Sequence, residues 1–250
     1  MSLVLARNEW RRLFARPLAW TILAAVLALL AYFFLLTLDA FLRLMPKLAG
    51  MAEAPGVTDL VALPLMRALA SMLLLVVPLL GMRTLAGEAQ GGTLPLLLTS
   101  GLSAARIVLG KYVALLGFLA LLIVLSLAMP LSLGIGAPVD VGRLLVGAFG
   151  LLLFGGALAA IALAASAYTD QPTVAAIVAL VLNLLLWMAD AGARFEGVSS
   201  TFINYLAPPT HLEPFLHGLL SSVDIVYFFL IAAVALTLAT RRLGSRKVRA

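Results

Sequence analysis

The pair Gly110 and Lys111 is the part of the sequence that comes closest to a nucleotide-binding motif. A phosphate-binding loop needs a glycine five residues before its Gly-Lys pair and a serine or threonine directly after it. Ala105 and Tyr112 occupy those positions. Because both the backbone cradle and the hydroxyl ligand for Mg²⁺ are missing, we predict that the chain does not bind ATP through such a loop.

The other candidates for catalysis are two histidines and two acids. His211 and His217 lie six residues apart in a proline-rich stretch, whereas zinc hydrolases use clustered ligands. Asp190 and Asp224 fall at the ends of apolar runs, where we interpret them as helix-end residues. The sequence has no cysteine, which removes thiol chemistry. We therefore predict a protein that is not an enzyme, without catalytic, cofactor-binding or metal-binding residues of its own.

The composition is that of a membrane protein. Apolar residues make up 64% of the 250 positions and charged residues only 11%, against about 25% charged in an ordinary soluble domain. About 20 apolar residues span the bilayer core as a helix. Six long apolar runs satisfy this rule, and the sequence therefore predicts an all-α integral membrane fold with spans at residues 18–38, 63–82, 112–133, 144–167, 173–191 and 225–240.

The distribution of positive charge predicts the orientation of these spans. Basic residues collect on the cytoplasmic side of membrane proteins, which also accounts for the net charge of +6 without nucleic acid as a partner. With six spans both termini share one side, and placing them inside gives that side twelve of the 17 basic residues. We predict a multi-pass protein of the bacterial inner membrane with both termini cytoplasmic; the twelve are Arg7, Arg11, Arg12, Arg16, Arg83, Arg106, Lys111, Arg241, Arg242, Arg246, Lys247 and Arg249.

We divide the chain into three parts. Residues 1–17 have apolar side chains at helical spacing opposite arginines, which predicts an amphipathic interfacial helix; a simple basic flank is the alternative. Residues 18–240 form the six-helix transmembrane domain, with a cytoplasmic coupling region at 83–111 and an outer-face loop at 192–224. Residues 241–250 form a basic cytoplasmic tail.

The coupling region is unusually organised for a connection. Gly91 and Gly92 supply a chain break, Thr93 is placed to cap a short helix at residues 94–99, and Ser103 is placed to start the next helix. This apolar helix lies outside the bilayer. It either packs on the surface of its own chain or fills a groove on a cytoplasmic partner.

Polar residues within the spans are few. Arg67 lies near the outer end of the second span, from which its side chain can reach the interface. Asn183 lies near mid-membrane depth, where it either bonds a neighbouring helix or lines a substrate path. A stripe formed by Gly156, Ala160 and Ala164 predicts close helix packing inside the chain. Since no carboxylate stands at depth, energy for transport would have to come from another subunit.

Three segments together resemble a known family. The segment RTLAGEAQGGTLPLLLTSGLSAARIVLGK, residues 83–111, resembles the cytoplasmic loop of permease subunits of type-2 ABC transporters. Residues 168–177 and 211–230 resemble the permeases of the gliding-motility system and of nitrous-oxide-reductase maturation. Within residues 83–111, the family usually has proline where Gly101 stands and glutamate where Pro95 stands. The positions that match the family pattern in this segment are Glu88, Gly92, Thr93, Leu96, Leu97, Leu98, Thr99, Gly110 and Lys111.

The resemblance implies a partner and a mechanism. Such permeases pair with a second copy or a related permease and bind two cytoplasmic ATPase subunits, which hold ATP and Mg²⁺. By this likeness, Arg83 and Glu88 would anchor the coupling helix and residues 94–99 would contact the ATPase. We further expect Glu88 to pair with Arg11 or Arg12, so that the interfacial and coupling helices move together.

The resemblance implies an ATP-driven permease that acts as an exporter. Two alternatives remain open at this stage. One is a stand-alone channel or secondary carrier. The other is an ATP-driven mechanical or assembly complex that acts on outer-face partners through residues 192–224 without moving a solute.

Overall fold

The computed structural model describes residues 2–15, 17–48, 55–99, 102–195 and 205–249. Ten α-helices make up nearly all of these residues, and no strand occurs among them. A π-helical segment, Thr58–Ala62, leads directly into the third helix, and a 3₁₀ turn, Leu133–Ile135, follows the sixth. The helices are α1 (Ser2–Phe14), α2 (Pro17–Leu48), α3 (Leu63–Gly81), α4 (Ala86–Gln90), α5 (Leu94–Thr99), α6 (Ala104–Ser132), α7 (Val141–Tyr168), α8 (Pro172–Phe195), α9 (Pro208–Leu216) and α10 (Ser222–Arg249).

Six of the helical segments are long and apolar enough to cross a membrane. They coincide with the six predicted runs, so the chain is an all-helical, multi-pass membrane protein. The helices extend past the apolar runs because the backbones of the polar residues at their ends continue the same pattern of hydrogen bonds. The six segments are Pro17–Lys47, Thr58–Gln90, Ala104–Ile135, Val141–Tyr168, Pro172–Ala189 and Ser222–Arg246.

Contacts between distant residues define two ends of the bundle. At one end, which we call the terminal end, α1 contacts the start of α6 and α4, while the last turns of α10 pack near α5. At the other, which we call the α9 end, α9 contacts the start of α7 and the early part of α3. The beginning of the chain and the C-terminal part of α10 therefore lie at the same end, as six crossings require.

The centre of the bundle is α7, whose small residues let neighbouring helices approach closely. A methyl group at Gly81 would lie 2.6 Å from Cβ of Ala162, so α3 and α7 are nearly in backbone contact. Ala160 is buried against Ala232 and Ala235 of α10. The small-residue stripe predicted in this span is thus used for packing inside the chain.

The second span does not continue straight into the coupling region. Instead, α3 ends at Gly81 and the chain turns before α4 begins at Ala86. The reason is a hydroxyl group from another helix, described below, which binds the backbone at this turn.

The segments predicted to lie on the outer face are largely helical. Residues 39–48 belong to α2, and α9 occupies the middle of the 192–224 segment, after α8 ends at Phe195. The basic residues after position 240 continue α10 to Arg249 without a break. Asp190 lies in α8, but its side chain is outside the described part of the structure.

Candidate functional site

A buried lysine joins three helices at the terminal end. The Nζ atom of Lys111 on α6 lies 2.7 Å from Oε1 of Glu88 on α4 and 3.2 Å from Oε2 of Glu9 on α1. The Lys111 side chain is 2% exposed, and those of Glu88 and Glu9 are 13% and 14% exposed. Nη1 of Arg12 lies 3.8 Å from Oε1 of Glu88, with its side chain 61% exposed. We call these four residues the Lys111 cluster.

The first helix is held against α6 by aromatic packing. A methyl group at Gly117 would lie 2.0 Å from Cζ3 of Trp10, so only glycine leaves room for that ring. Phe14 contacts both Trp10 and Phe118, with ring centroids 4.9 Å and 5.8 Å apart. This packing brings Glu9 to the end of α6 where Lys111 stands.

The helix that carries Glu88 is positioned by Ser166 of α7. Its Oγ accepts hydrogen bonds from the backbone N–H groups of Leu85 (3.1 Å) and Ala86 (2.9 Å) at the start of α4. The same hydroxyl donates to the carbonyl of Met82 at 3.2 Å. Ser166 thus satisfies backbone groups on both sides of the turn between α3 and α4, which is the cause of the break in the second span.

The turn from α4 to α5 has the geometry that the glycines predict. Gly92 has a φ of +69°, a left-handed conformation that a side chain would strain. The Thr93 hydroxyl donates to the Glu88 carbonyl at 3.3 Å, and the Thr93 carbonyl accepts from the amide of Leu97. At the start of α6, Ser103 accepts from the amide of Arg106 and confirms the predicted helix start.

The α5 helix packs partly on its own chain. Leu94 is buried with Leu85 and Leu243, and Leu97 packs against this patch. Pro95 and Thr99 are exposed, while the side chains of Leu96 and Leu98 lie outside the described part of the structure. The helix therefore has one side fixed to the bundle and another that faces away from it.

A cavity of about 520 Å³ opens beside the Lys111 cluster. Its walls combine charged side chains from α1, α4 and α6 with apolar residues of α2 and α3. Oε2 of Glu88 is buried and has no hydrogen-bond partner among the described residues. The charged residues that line the cavity are Glu9, Arg12, Arg83, Glu88 and Lys111.

The structure brings some predicted site residues together and leaves others apart. Glu88, Arg12, Arg83 and Thr93 line the same cavity, and Glu88 makes the expected contact to an interfacial arginine through Arg12. Arg11 is exposed on α1. We did not single out Glu9, Ser166 or the burial of Lys111 from the sequence. A signal for the first and third was available, because Lys111 begins an apolar run and Glu9 is one of the few acids on the same predicted side of the membrane.

Asn183 occupies a dry position inside the bundle. It is 1% exposed and lies on the same side of α8 as Ala175 and Ala179, which are also buried. Neither its Oδ1 nor its Nδ2 has a hydrogen-bond partner among the described residues. An interhelical hydrogen bond, one of the two roles predicted for this side chain, is therefore not formed with any described residue.

The polar residues at the α9 end include two ion pairs, and His217 lies between them, with contacts to Arg143 and Glu213. Arg67 was expected to reach the interface alone, but it forms a bidentate pair with Glu213 of α9, with both N–O distances at 2.9 Å. Nη1 of Arg143 on α7 lies 2.6 Å from Oδ1 of Asp59, and its Nη2 lies 3.1 Å from Nδ1 of His217. These contacts fasten α9 to α3 and α7.

The second histidine is buried at the junction of α9 and α10. Nδ1 of His211 lies 2.6 Å from Oδ1 of Asp224, and Nε2 lies 2.8 Å from the carbonyl oxygen of Tyr205. Both ring nitrogens face hydrogen-bond acceptors, and the ring stacks on Tyr227 at 3.9 Å. Asp224 lies in the first turn of α10, at a helix end as predicted, and is buried beside His211. Within the described residues, no group of three or more histidines and acids could hold a metal ion.

No protein-family model matches the chain, and no curated protein matches it. The fold and these contacts define a six-span helical membrane protein with a buried charge cluster joining three helices at one end.

Proposed function

We propose that the chain is the permease subunit of an ATP-driven transporter of the type-2 ABC class, with ATP and Mg²⁺ held by separate cytoplasmic subunits. The observation that supports this proposal is the Lys111 cluster. It joins the short α4–α5 segment, which would contact the ATPase, to the interfacial helix and to a membrane span.

The cluster is suited to transmit movement. Breaking a buried ion pair by separating its partners is costly because each charge is left without compensation. Since Lys111 contacts acids on both α1 and α4, a displacement of α4 would carry α1 and α6 with it. Such rigid-body movement of packed helices is a common form of conformational change in proteins.

The positions of the acidic side chains in the spans favour a source of energy in another subunit. Carriers driven by proton or sodium gradients use acidic side chains along their path. Within the six membrane-spanning segments, Asp59, Glu88 and Asp224 stand near segment ends, and Asp39 directly follows the apolar run of α2. Hydrolysis of ATP in a partner would supply the missing driving force.

The proposal places the terminal end in the cytoplasm of a bacterium, in accordance with the excess of Lys and Arg there. The natural absence of cysteine makes this easy to test, since any introduced cysteine is unique. Gln90→Cys at the terminal end and Leu219→Cys at the α9 end would be labelled with a membrane-impermeant maleimide on intact spheroplasts. We expect labelling of the Leu219→Cys variant alone; labelling of Gln90→Cys alone would reverse the orientation and refute cytoplasmic coupling.

The function is tested by purifying the tagged full chain from its native membranes and measuring ATP hydrolysis in the purified complex. We expect an ATPase and a second permease copy or relative to co-purify, and Glu88→Gln to reduce ATP turnover. Asp39→Asn, the same change from carboxylate to amide at an exposed position on α2, is the matched control. Unchanged turnover with Glu88→Gln would contradict the coupling role, and a gradient-driven flux through the chain alone would favour a channel or carrier instead.

A further inference from the structure

A long apolar groove lies between α7, α8 and α10. It has a volume of about 850 Å³ and is lined almost entirely by apolar side chains. Along α8 it extends from Val174 to Ala189, and fifteen residues of helix correspond to about 22 Å. This length exceeds the depth of one leaflet, which is about half of a 30 Å hydrocarbon core. The groove is therefore long enough for a lipid acyl chain.

The end of the groove nearest the terminal end carries an arginine with unused capacity. Cζ of Arg242 lies 5.4 Å from the centroid of the Tyr168 ring, and Tyr168 lines the groove. Leu238, another lining residue, stands one helical turn before Arg242 and thus on the same side of α10. Nε of Arg242 is buried without a hydrogen-bond partner among the described residues.

Arg242 has no acidic partner in the described structure at this end of the groove, because the nearby acid pairs with another arginine. Arg246, one turn further on, is paired with Asp170, with 2.5 Å between Nη1 and Oδ1. Within the described part of the chain, no acid forms an ion pair with Arg242, and the exposed Arg241 adds a further positive charge. Arg242 thus places a guanidinium without an acidic partner among the described residues beside Tyr168, at the end of the groove, next to the pair formed by Arg246 and Asp170.

We propose that this groove holds an anionic phospholipid, with its phosphate on Arg242 beside Tyr168 and an acyl chain along α8 and α10. An arginine fork binds phosphate oxygens with strong, charge-assisted hydrogen bonds. Basic pockets between membrane helices on the cytoplasmic side are typical sites for anionic headgroups. The proposal requires only that the chain spans a membrane, and it does not depend on coupling to an ATPase.

The charges favour a lipid over a second copy of the chain in this groove. In a two-fold symmetric contact the same patch faces itself. Two copies inserted in the same orientation would place Arg241 and Arg242 of each at the same membrane level, next to those of the other. An anionic lipid neutralises this charge, whereas a second copy would double it.

The test measures lipid binding to the purified full chain by native mass spectrometry. Phosphatidylglycerol is compared with phosphatidylcholine carrying the same acyl chains. Both headgroups carry a phosphate, but the choline cation of phosphatidylcholine is repelled by the arginines at this position. We therefore expect one phosphatidylglycerol to bind about tenfold more tightly than phosphatidylcholine. Equal binding of the two lipids would show a non-specific lipid annulus and overturn the proposal.

Matched variants identify the position of the headgroup. Arg242→Gln should weaken phosphatidylglycerol binding about tenfold and phosphatidylcholine binding by less, so that the preference for the anionic lipid falls. Arg241→Gln removes the same charge from an exposed neighbour and should bind as the unaltered chain does. Equal loss in both variants would mean that net charge alone attracts the lipid, and this too would overturn the proposal.

The position of the acyl chain is tested separately, so that the proposal remains testable if Arg242→Gln does not fold. Val178→Trp fills the groove and should lower the binding of both lipids, while Leu145→Trp, at an exposed position outside the lining, should not. Displacement of the lipid by soluble glycerol phosphate would assign the site to a free phosphate. Efficient disulfide formation between copies carrying Val178→Cys would assign the groove to a dimer interface, and either result would overturn the proposal.

Discussion

The variant Lys111→Met removes the charge at the centre of the Lys111 cluster while keeping a long apolar side chain. The change leaves the carboxylates of Glu9 and Glu88 close together without the ammonium group that lies between them. Both are largely buried, so water can solvate them only if α1 or α4 moves away from α6. We therefore expect loss of stability together with undocking of these two helices.

The distances give the size of the effect. With an effective dielectric constant of about 20, two unit charges attract by about 6 kcal/mol at 2.7 Å and about 5 kcal/mol at 3.2 Å. Repulsion between the two carboxylates and the cost of removing the ammonium from water offset much of this. Removing one partner of a buried ion pair costs about 3–5 kcal/mol, and we expect Lys111→Met to lower the free energy of unfolding by that amount.

The measurement is SDS-induced unfolding in mixed micelles, followed by the loss of helical circular dichroism. The triple variant Glu9→Gln, Glu88→Gln, Lys111→Met provides the decisive comparison because it leaves no uncompensated charge. We expect it to recover at least about half of the lost free energy, since a neutral replacement of a buried ion cluster is often well tolerated. Its recovered stability should not be accompanied by recovered ATP turnover in the complex.

Two results would refute this reasoning. If Lys111→Met lowered the free energy of unfolding by less than about 1 kcal/mol, the cluster would contribute no more than an exposed ion pair does. A triple variant as unstable as the single one would show that the lysine acts by packing and not by charge.

Three further changes test how the helices are positioned. Gly117→Ala should displace the Trp10 ring, which a methyl group would approach to 2.0 Å, and should expose α1 to proteolysis. Ser166→Ala leaves two buried backbone amides without an acceptor and should cost about 1–3 kcal/mol in the same unfolding assay. Asp224→Asn weakens the 2.6 Å contact with His211 and should speed amide hydrogen exchange in α9. The control for Gly117→Ala is Gly134→Ala, whose methyl group meets no atom within 4 Å. The controls for Ser166→Ala and Asp224→Asn are Ser71→Ala and Asp39→Asn, both on exposed surfaces. A variant that behaves like its control would contradict the corresponding contact.

The fold is largely predictable from the sequence, because the signal for a membrane span is local. An apolar run of sufficient length must satisfy its backbone hydrogen bonds within one helix in lipid, whatever surrounds it. The glycine turn at Gly92 and the helix start at Ser103 are equally local and also appear where the sequence predicts them. The break after Gly81 is different, since its cause is the Ser166 hydroxyl from a helix about 80 residues away.

The site is less predictable because its contacts join distant parts of the chain. Lys111 and Glu9 are 102 positions apart, and Arg67 and Glu213 are 146 apart. Hydropathy and helical spacing carry no information about which acid meets which base. The sequence could indicate Glu88 as an anchor near interfacial arginines, but not that Lys111 would be its nearest partner.

The Arg67–Glu213 pair at the α9 end and the Lys111 cluster at the terminal end hold their charges in different ways, and this difference bears on movement. The Arg67 and Glu213 side chains are 47% and 44% exposed, so water can replace their contact with little loss. Lys111 is 2% exposed and has no such replacement, so the cluster favours keeping its three helices together. A force applied to α4 would therefore be carried into α6, while the contact between α3 and α9 would open first. Under the proposed function, this asymmetry would direct a push from the cytoplasmic side toward an opening on the opposite side.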